Sequence, residues 1–237
     1  MTSLILFLSL LSIDDDAAAT AAIDKFKTDY KSREASVRAA AVSELARTQH
    51  EKVWARLAQL LVSDEKEVRI AAAKGLAGVT ENKKKPVAYL VAAAGPNARE
   101  PVVIAAILES LGKLKEAAGA GEVERHFKSK QIPEAKAAIE AAALIASRSS
   151  AQPLIETLRW LEQGAQEAPA YGQGNGGGAG TGVGGGGTVD EAARERDRML
   201  RPIVLKSLET ITKTNHGSVK EWEEWWKLDG VKFMSGK

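Results

Sequence analysis

The chain has 237 residues, no cysteine and forty alanines, and aromatic residues make up only 5% of it. The missing cysteine excludes disulfides, thiol nucleophiles, iron–sulfur clusters and cysteine zinc sites. A formal net charge of +2 gives no strong pull toward nucleic acid or membrane, and the alanine content favours an all-α chain whose helices approach closely.

The first element is an apolar run. Leu4 to Leu11 reads LILFLSLL, and Ile13 extends it to the acids Asp14, Asp15 and Asp16. It is too short for the roughly 20 residues that a spanning helix needs, so no stable membrane span is expected. Small-x-small sites follow at Ala17-Ala18-Ala19 and Ala19-Thr20-Ala21, the pattern of a secretory signal peptide, although no Lys or Arg precedes the run. Residues 1–19 are therefore assigned as a leader, which predicts export to the periplasm or the cell exterior; an uncleaved chain would stay in the cytoplasm. Cleavage there removes three acids and no bases, so the charge of +2 becomes +5.

Next come apolar triplets at spacing 3 then 4: Ile23, Phe26, Tyr30; Trp54, Leu57, Leu61; Val87, Leu90, Ala94; Ala120, Val123, Phe127; and Ala151, Leu154, Leu158. Successive sets are offset by 31, 33, 33 and 31 residues. That spacing lines one face of a helix, so each set predicts an amphipathic helix. Between them runs a second series at spacing 4 and 4: Val37, Ala41, Leu45; Val68, Ala72, Leu76; Val103, Ile107, Leu111; and Ala135, Ile139, Ala143. Its offsets are 31, 35 and 32, and a fifth member, Leu200, Val204, Leu208, follows after 65, one period plus an insertion. Five helix pairs result. Stacked neighbours would share one core that no single pair can close.

Punctuation agrees with this pairing. Pro86, Pro101, Pro133 and Pro153 fall near helix starts, where a missing N–H costs nothing. Asp64 with Glu67, Thr188 with Glu191, and Ser218 with Glu221 each have capping-box spacing. Pro202 falls inside the fifth second-helix and predicts a break or kink near Arg201.

The stretch Asp64-Glu65-Lys66-Glu67-Val68-Arg69, followed by Ala71, Ala72 and Leu76-Ala77-Gly78, resembles a HEAT repeat, and Ser36-Val37-Arg38 with Ala40, Ala41 and Leu45 repeats its second half. By periodicity the resemblance covers about residues 17 to 212, and its motif is sharp in residues 31 to 79. It implies a ladder in which the Asp of each turn meets the Arg of a second helix. Only the second repeat has both letters; Arg33 stands at the Asp position of the first repeat, and Arg99 and Ile104 stand at both positions of the third.

Tyr171 to Thr188 holds eleven of the chain's 21 glycines. Its matches to G-x-G-x-x-G, such as Gly182, Gly184 and Gly187, lack the preceding strand and βαβ unit that dinucleotide binding requires. Residues 164–188 therefore read as a low-complexity, disordered insertion between the two helices of the fifth repeat. Residues 189–214 hold the second of those helices, and 20–163 hold repeats one to four with the first helix of repeat five.

The last segment, 215–237, contains SVKEWEEWWKLDG, in which Val219, Trp222, Trp225 and Trp226 share one helical face. An aromatic platform for a sugar or base is one reading; a helix that covers the last repeat is the preferred one. The stretch from Ile211 to Trp226 also looks like the W-x-x-W-W ending of exported bacterial HEAT-repeat proteins of planctomycete type.

No catalytic constellation emerges. His50, His126 and His216 are far apart and lack partners at metal-ligand spacing, and neither H-E-x-x-H nor G-x-S-x-G occurs. His50 and His126 read as solvated side chains on polar faces, His216 as a loop-shaping residue, and Lys83-Lys84-Lys85 as a solvated connector. The expected architecture is an all-α solenoid of about five HEAT-like helix pairs with a C-terminal, Trp-rich capping helix. The expected role is a non-enzymatic scaffold for a protein or peptide, with no cofactor, metal or nucleic acid. The resemblance also admits a nucleic-acid-binding enzyme of DNA glycosylase type, or a pigment-lyase-like protein.

Overall fold

A computed structural model describes residues 2–166 and 191–236, with side chains from residue 15 onward and up to 165 before the second stretch. Among the described residues there are eleven α-helices and no strand. The chain divides into two compact units, Met1–Ser147 and Arg148–Lys237.

The first unit contains four helix pairs: α1 (Thr2–Asp29) with α2 (Ala35–Leu45), α3 (Glu51–Ser63) with α4 (Lys66–Ala77), α5 (Lys84–Ala94) with α6 (Pro101–Leu114), and α7 (Ala120–Arg125) with α8 (Ile132–Ile145). The second helices stack in order, α2 on α4, α4 on α6 and α6 on α8, while α1 meets α3 and α3 meets α5 among the first helices. This is the all-α, HEAT-like solenoid that the period predicts. Every member of the triplets in α3, α5 and α7, including Phe127 just beyond α7, is buried. So are the series residues of α4 and α6. Val37 departs from the pattern at 42% exposed; it lies in the first turn of α2, and Val42 takes the buried place instead. Ala143 is also only partly covered.

Helix α6 sits between α4 and α8 and is apolar on nearly every side: Val103 to Leu108, Leu111 and Leu114 are all buried. Its Gly112 is forced by proximity. A Cβ there would meet the Ala141 Cα at 2.8 Å and the Ala141 Cβ at 2.9 Å. The absence of a side chain is thus what lets α8 approach α6 closely.

Helix α1 is one uninterrupted element through the expected leader and the first repeat. Ala19 and Phe26 are buried, and the Asp16 carboxylate lies 3.0 Å from both Lys52 Nζ and His50 Nε2. The Lys52 ammonium, and then His50, hold the Asp16 carboxyl below its usual range.

In the second unit, α9 (Ala151–Gln166) packs on α10 (Glu191–Thr212), and α11 (Val219–Ser235) packs on α9. Helix α9 ends three residues inside the segment expected as an insertion, and a Cβ added at Gly164 would lie 3.5 Å from the Ala193 Cβ of α10, an ordinary contact. The glycine tract itself and Thr188 lie outside the described residues. Of the break or kink expected near Arg201, the break does not occur, since α10 continues through Pro202 as a single helix. Pro202 is exposed, so the carbonyl it leaves without a partner faces water, while Leu200, Val204 and Leu208 anchor the turns on either side.

Leu57→Ala and Leu76→Ala should each lower unfolding stability by about 2–5 kcal/mol, since both side chains are fully buried. Val37→Ala should change it by less than about 0.5 kcal/mol, and Gly112→Ala should cost about 1–3 kcal/mol by overpacking. Urea titrations of the four variants check this ranking; equal midpoints for Leu76→Ala and Val37→Ala would contradict the burial pattern.

Candidate binding surface

The turns between paired helices carry a polar ladder. Arg38 of α2 donates from Nη2 to Asp64 Oδ1 at 2.8 Å and from Nε to Asp64 Oδ2 at 3.3 Å. The same guanidinium donates to the carbonyls of Ser32 and Arg33. The Tyr30 hydroxyl donates to Asp64 Oδ2. Asp64 is therefore no capping-box residue: it ends α3, and α4 has no side-chain cap bond. The carboxylate takes the fork of Arg38 together with the Glu65 amide, which donates to Oδ1 at 2.6 Å, in place of a bond to the N3 amide of Glu67.

One step along, Arg69 of α4 donates from Nε to the Asp64 carbonyl at 2.6 Å and from Nη1 to Asn97 Oδ1 at 2.8 Å. Asn97 is fully buried, and its amide donates to the Leu61 carbonyl at 3.0 Å and the Ala93 carbonyl at 2.8 Å. The third repeat thus fills its ladder position with Asn97, in the 3-10 turn Gly95–Asn97, and not with Arg99. The turn follows the 33-residue offset of the first helices rather than the 35 of the second, and Asp64 plus one such period is Asn97. An amide suits the place because the two facing carbonyls need a donor, which a carboxylate lacks. The ladder stops there, since Ile104 is buried and apolar.

The exposed sides of α4, α6 and α8 form a groove of about 410 Å³. Ala105, Ala106 and Ala137 lie along it, while Ile70, Val102 and Pro133 are its larger apolar residues. Val102 is 60% exposed. Its charged residues balance: Lys74 and Lys136 against Glu109 and Glu140. Lys136 and Glu140 stand 3.9 Å apart on α8, whereas Lys74 and Glu109 have no ion-pair partner among the described residues.

The three histidines are structural participants. His50 is the N-cap of α3, its Nδ1 accepting from the Lys52 amide at 3.2 Å. His126, expected in solvent, is clamped between carboxylates: Nδ1 lies 2.7 Å from Glu134 and Nε2 3.3 Å from Glu122, whose side chain is almost wholly covered. Both ring nitrogens thus face carboxylates within the fold. His216 meets Trp222 edge-to-face at 4.7 Å in an aromatic cluster that continues through Trp225 to Trp226 and Phe233. The buried Nε2 of His216 and Nε1 of Trp222 have no hydrogen-bond partner among the described residues. Trp222 is fully covered, so it serves the contact of α11 with α9 rather than an open platform. Among the described residues no cluster of His, Asp and Glu could hold a metal ion, and no helix is long and apolar enough to cross a membrane.

At the start of α11, Ser218 Oγ accepts from the Glu221 amide at 3.3 Å, while Glu221 Oε2 accepts from the amides of Gly217 at 2.8 Å and Ser218 at 3.1 Å. This is the expected capping box. The Gly217 amide first, then that of Ser218, holds the Glu221 carboxyl below its usual range.

Helix pairs stacked in register, joined by a polar ladder at their turns, define an α-helical repeat protein. Residues 23–112 match the family model for HEAT repeats. Neither curated proteins nor solved structures gave a match.

Asn97→Asp should destabilise the first unit by about 1–3 kcal/mol at neutral pH, despite restoring the family's usual letter, because it points a carboxylate at two carbonyls. Chemical denaturation measures this, and the deficit should shrink in acid as the new carboxyl gains a proton. Glu221→Gln should weaken the α11 cap at neutral pH. A depressed folded-state pKa means that the wild-type contribution is present above the unfolded value and lost as pH falls through the folded one, so the two proteins should converge below about pH 4. Thermal melts across that range check the sign.

Proposed function

We propose that the protein is a non-enzymatic scaffold that binds a protein or peptide segment in the groove between α4, α6 and α8. The observation that carries this is the groove's composition: an alanine-lined channel, an open apolar residue at Val102, and two Lys balanced by two Glu. Small residues let a partner's backbone come close, and unpaired charges of both signs offer direction and register. A duplex-binding face would need an excess of Lys and Arg to neutralise phosphates. Glu109 and Glu140 work against that, which favours the scaffold over an enzyme of glycosylase type. HEAT repeats as a class commonly mediate protein interactions, which supports the same reading.

Export completes the proposal, with residues 1–19 as the leader. Cleavage after Ala19 would remove the Asp16 contacts with His50 and Lys52 and leave Phe26 as the buried anchor of α1. N-terminal sequencing of the native protein tests this, and an intact Met1 would refute it.

For the groove, the partner recovered by affinity capture from the native source should bind Val102→Asp or Glu109→Lys about tenfold more weakly or worse. A distant surface change, Lys115→Glu, should have no effect. Equal retention by all variants would refute the site. Tight duplex DNA binding that collapses between low and high salt would refute the scaffold itself.

A further inference from the structure

Helix α11 is apolar on two faces. One is covered: Val219, Trp222 and Gly230 are buried, and Glu223, beside Trp222, accepts from Arg159 Nε of α9 at 2.6 Å. The other holds Leu228 at 83% and Val231 at 85% exposed, with Met234 beyond them. A helix with apolar residues on opposite faces has the pattern of one buried on both sides.

The charges beside this ridge say what covers it. Around Leu228 they run Glu224, Lys227, Asp229, Lys232, at −4, −1, +1 and +4. All four are exposed and have no ion-pair partner among the described residues. The sequence of signs, minus, plus, minus, plus, inverts about its own centre. When two copies of the helix lie antiparallel and cross at Leu228, residue 228−n of one stands level with 228+n of the other. Glu224 of each copy then faces Lys232 of the other, while Lys227 and Asp229 lie on the outer flanks. A parallel pairing in register would set Glu224 against Glu224 and Lys232 against Lys232.

We infer that α11 is a self-association surface, on which two copies of this chain pair antiparallel about a two-fold axis at Leu228. The contact is isologous and closes on itself, so it yields a dimer rather than a filament. Leu228 and Val231 of both copies form its apolar centre, and the two symmetry-related Glu224–Lys232 pairs fix direction and register, as flanking charges do in coiled coils. A membrane surface fits less well, since the ridge is bordered by as many acids as bases.

Because the chain has no cysteine, the register can be tested by single substitutions in the full-length protein. Helix axes about 8–10 Å apart bring the two Leu228 Cα atoms to about 5 Å, within disulfide reach, whereas Ser235 lies about 10 Å up each helix and so about 20 Å from its mate. Leu228→Cys should therefore oxidise to a covalent dimer and Ser235→Cys should not. By sedimentation equilibrium the wild type should dimerise at concentrations on the order of 100 μM or below. Glu224→Lys or Lys232→Glu alone should weaken dimerisation about tenfold, and the two together should restore it. Circular dichroism of each variant should match the wild type, as the changed side chains are exposed. A wild type that stays monomeric, a Leu228→Cys protein that does not cross-link, or equal cross-linking at Leu228 and Ser235 would each overturn the proposal. So would a monomer whose ridge binds phosphatidylglycerol vesicles and loses that binding in Leu228→Glu.

Discussion

The first unit depends on the fact that α6 cannot exist alone in water. A helix with Val103, Ile104, Ile107, Leu108, Leu111 and Leu114 buried around its circumference has no solvent face wide enough to stabilise it by itself. It must have α4 on one side and α8 on the other, and each of those is amphipathic enough to stand at a distance from the centre. Gly112 sets how closely α8 can come, and the small side chains of Ala137, Ala138, Ala141 and Ala142 complete the contact. The abundance of alanine is thus a packing specification as much as a helix preference. Stability in such a stack is a sum of pair terms and neighbour terms, so α6 contributes through both of its interfaces.

Burial alone does not fix how one pair is rotated against the next. That is the task of the turns. Arg38 ties α2 to Asp64 after α3, and Arg69 ties α4 to Asn97 after α5, so each second helix is pinned to the turn of the following repeat. Both arginines also donate to main-chain carbonyls, and Asn97 reaches back to Leu61 and Ala93. Buried polar groups satisfied in this way have few alternative arrangements, which gives direction to a contact that apolar packing leaves loose. Beyond Ile104 that device is absent, and the α6–α8 contact relies on close packing instead.

The period was legible because it is a property of many residues at once. Sets at regular spacing survive individual exceptions such as the exposed Val37. Features that depend on one residue were harder to read. Asp64 has the letter and spacing of a cap, yet a guanidinium from another repeat claims it, and nothing local in the sequence announces that competitor. Asn97 was visible in principle: counting from Asp64 by the first-helix offset reaches it, whereas counting by the second-helix offset passes it by two residues. Pro202 illustrates the reverse case. The local rule ends a helix there, but apolar residues before and after it bury against α9 and hold the helix through the defect. The clamp on His126 could not be anticipated from sequence distance either, because Glu134 reaches it across the connection between α7 and α8.

The groove and the α11 ridge are legible for a common reason. Inside each unit, charges that matter to folding are paired or hydrogen-bonded: Arg38 with Asp64, Arg159 with Glu223, Arg201 with Asp197. Lys74 and Glu109 in the groove, and the four charges that border Leu228, stand outside this economy. An exposed unpaired charge by itself signifies nothing, since water solvates it well. Its arrangement around an exposed apolar residue is the informative part, because an uncovered Val102 or Leu228 gains from leaving water while the surrounding charges decide what can cover it. In the groove both signs are present without symmetry, which suits a partner different from the chain. On α11 the signs invert about a single residue, and a sequence that is complementary to its own reversal is best matched by another copy of itself.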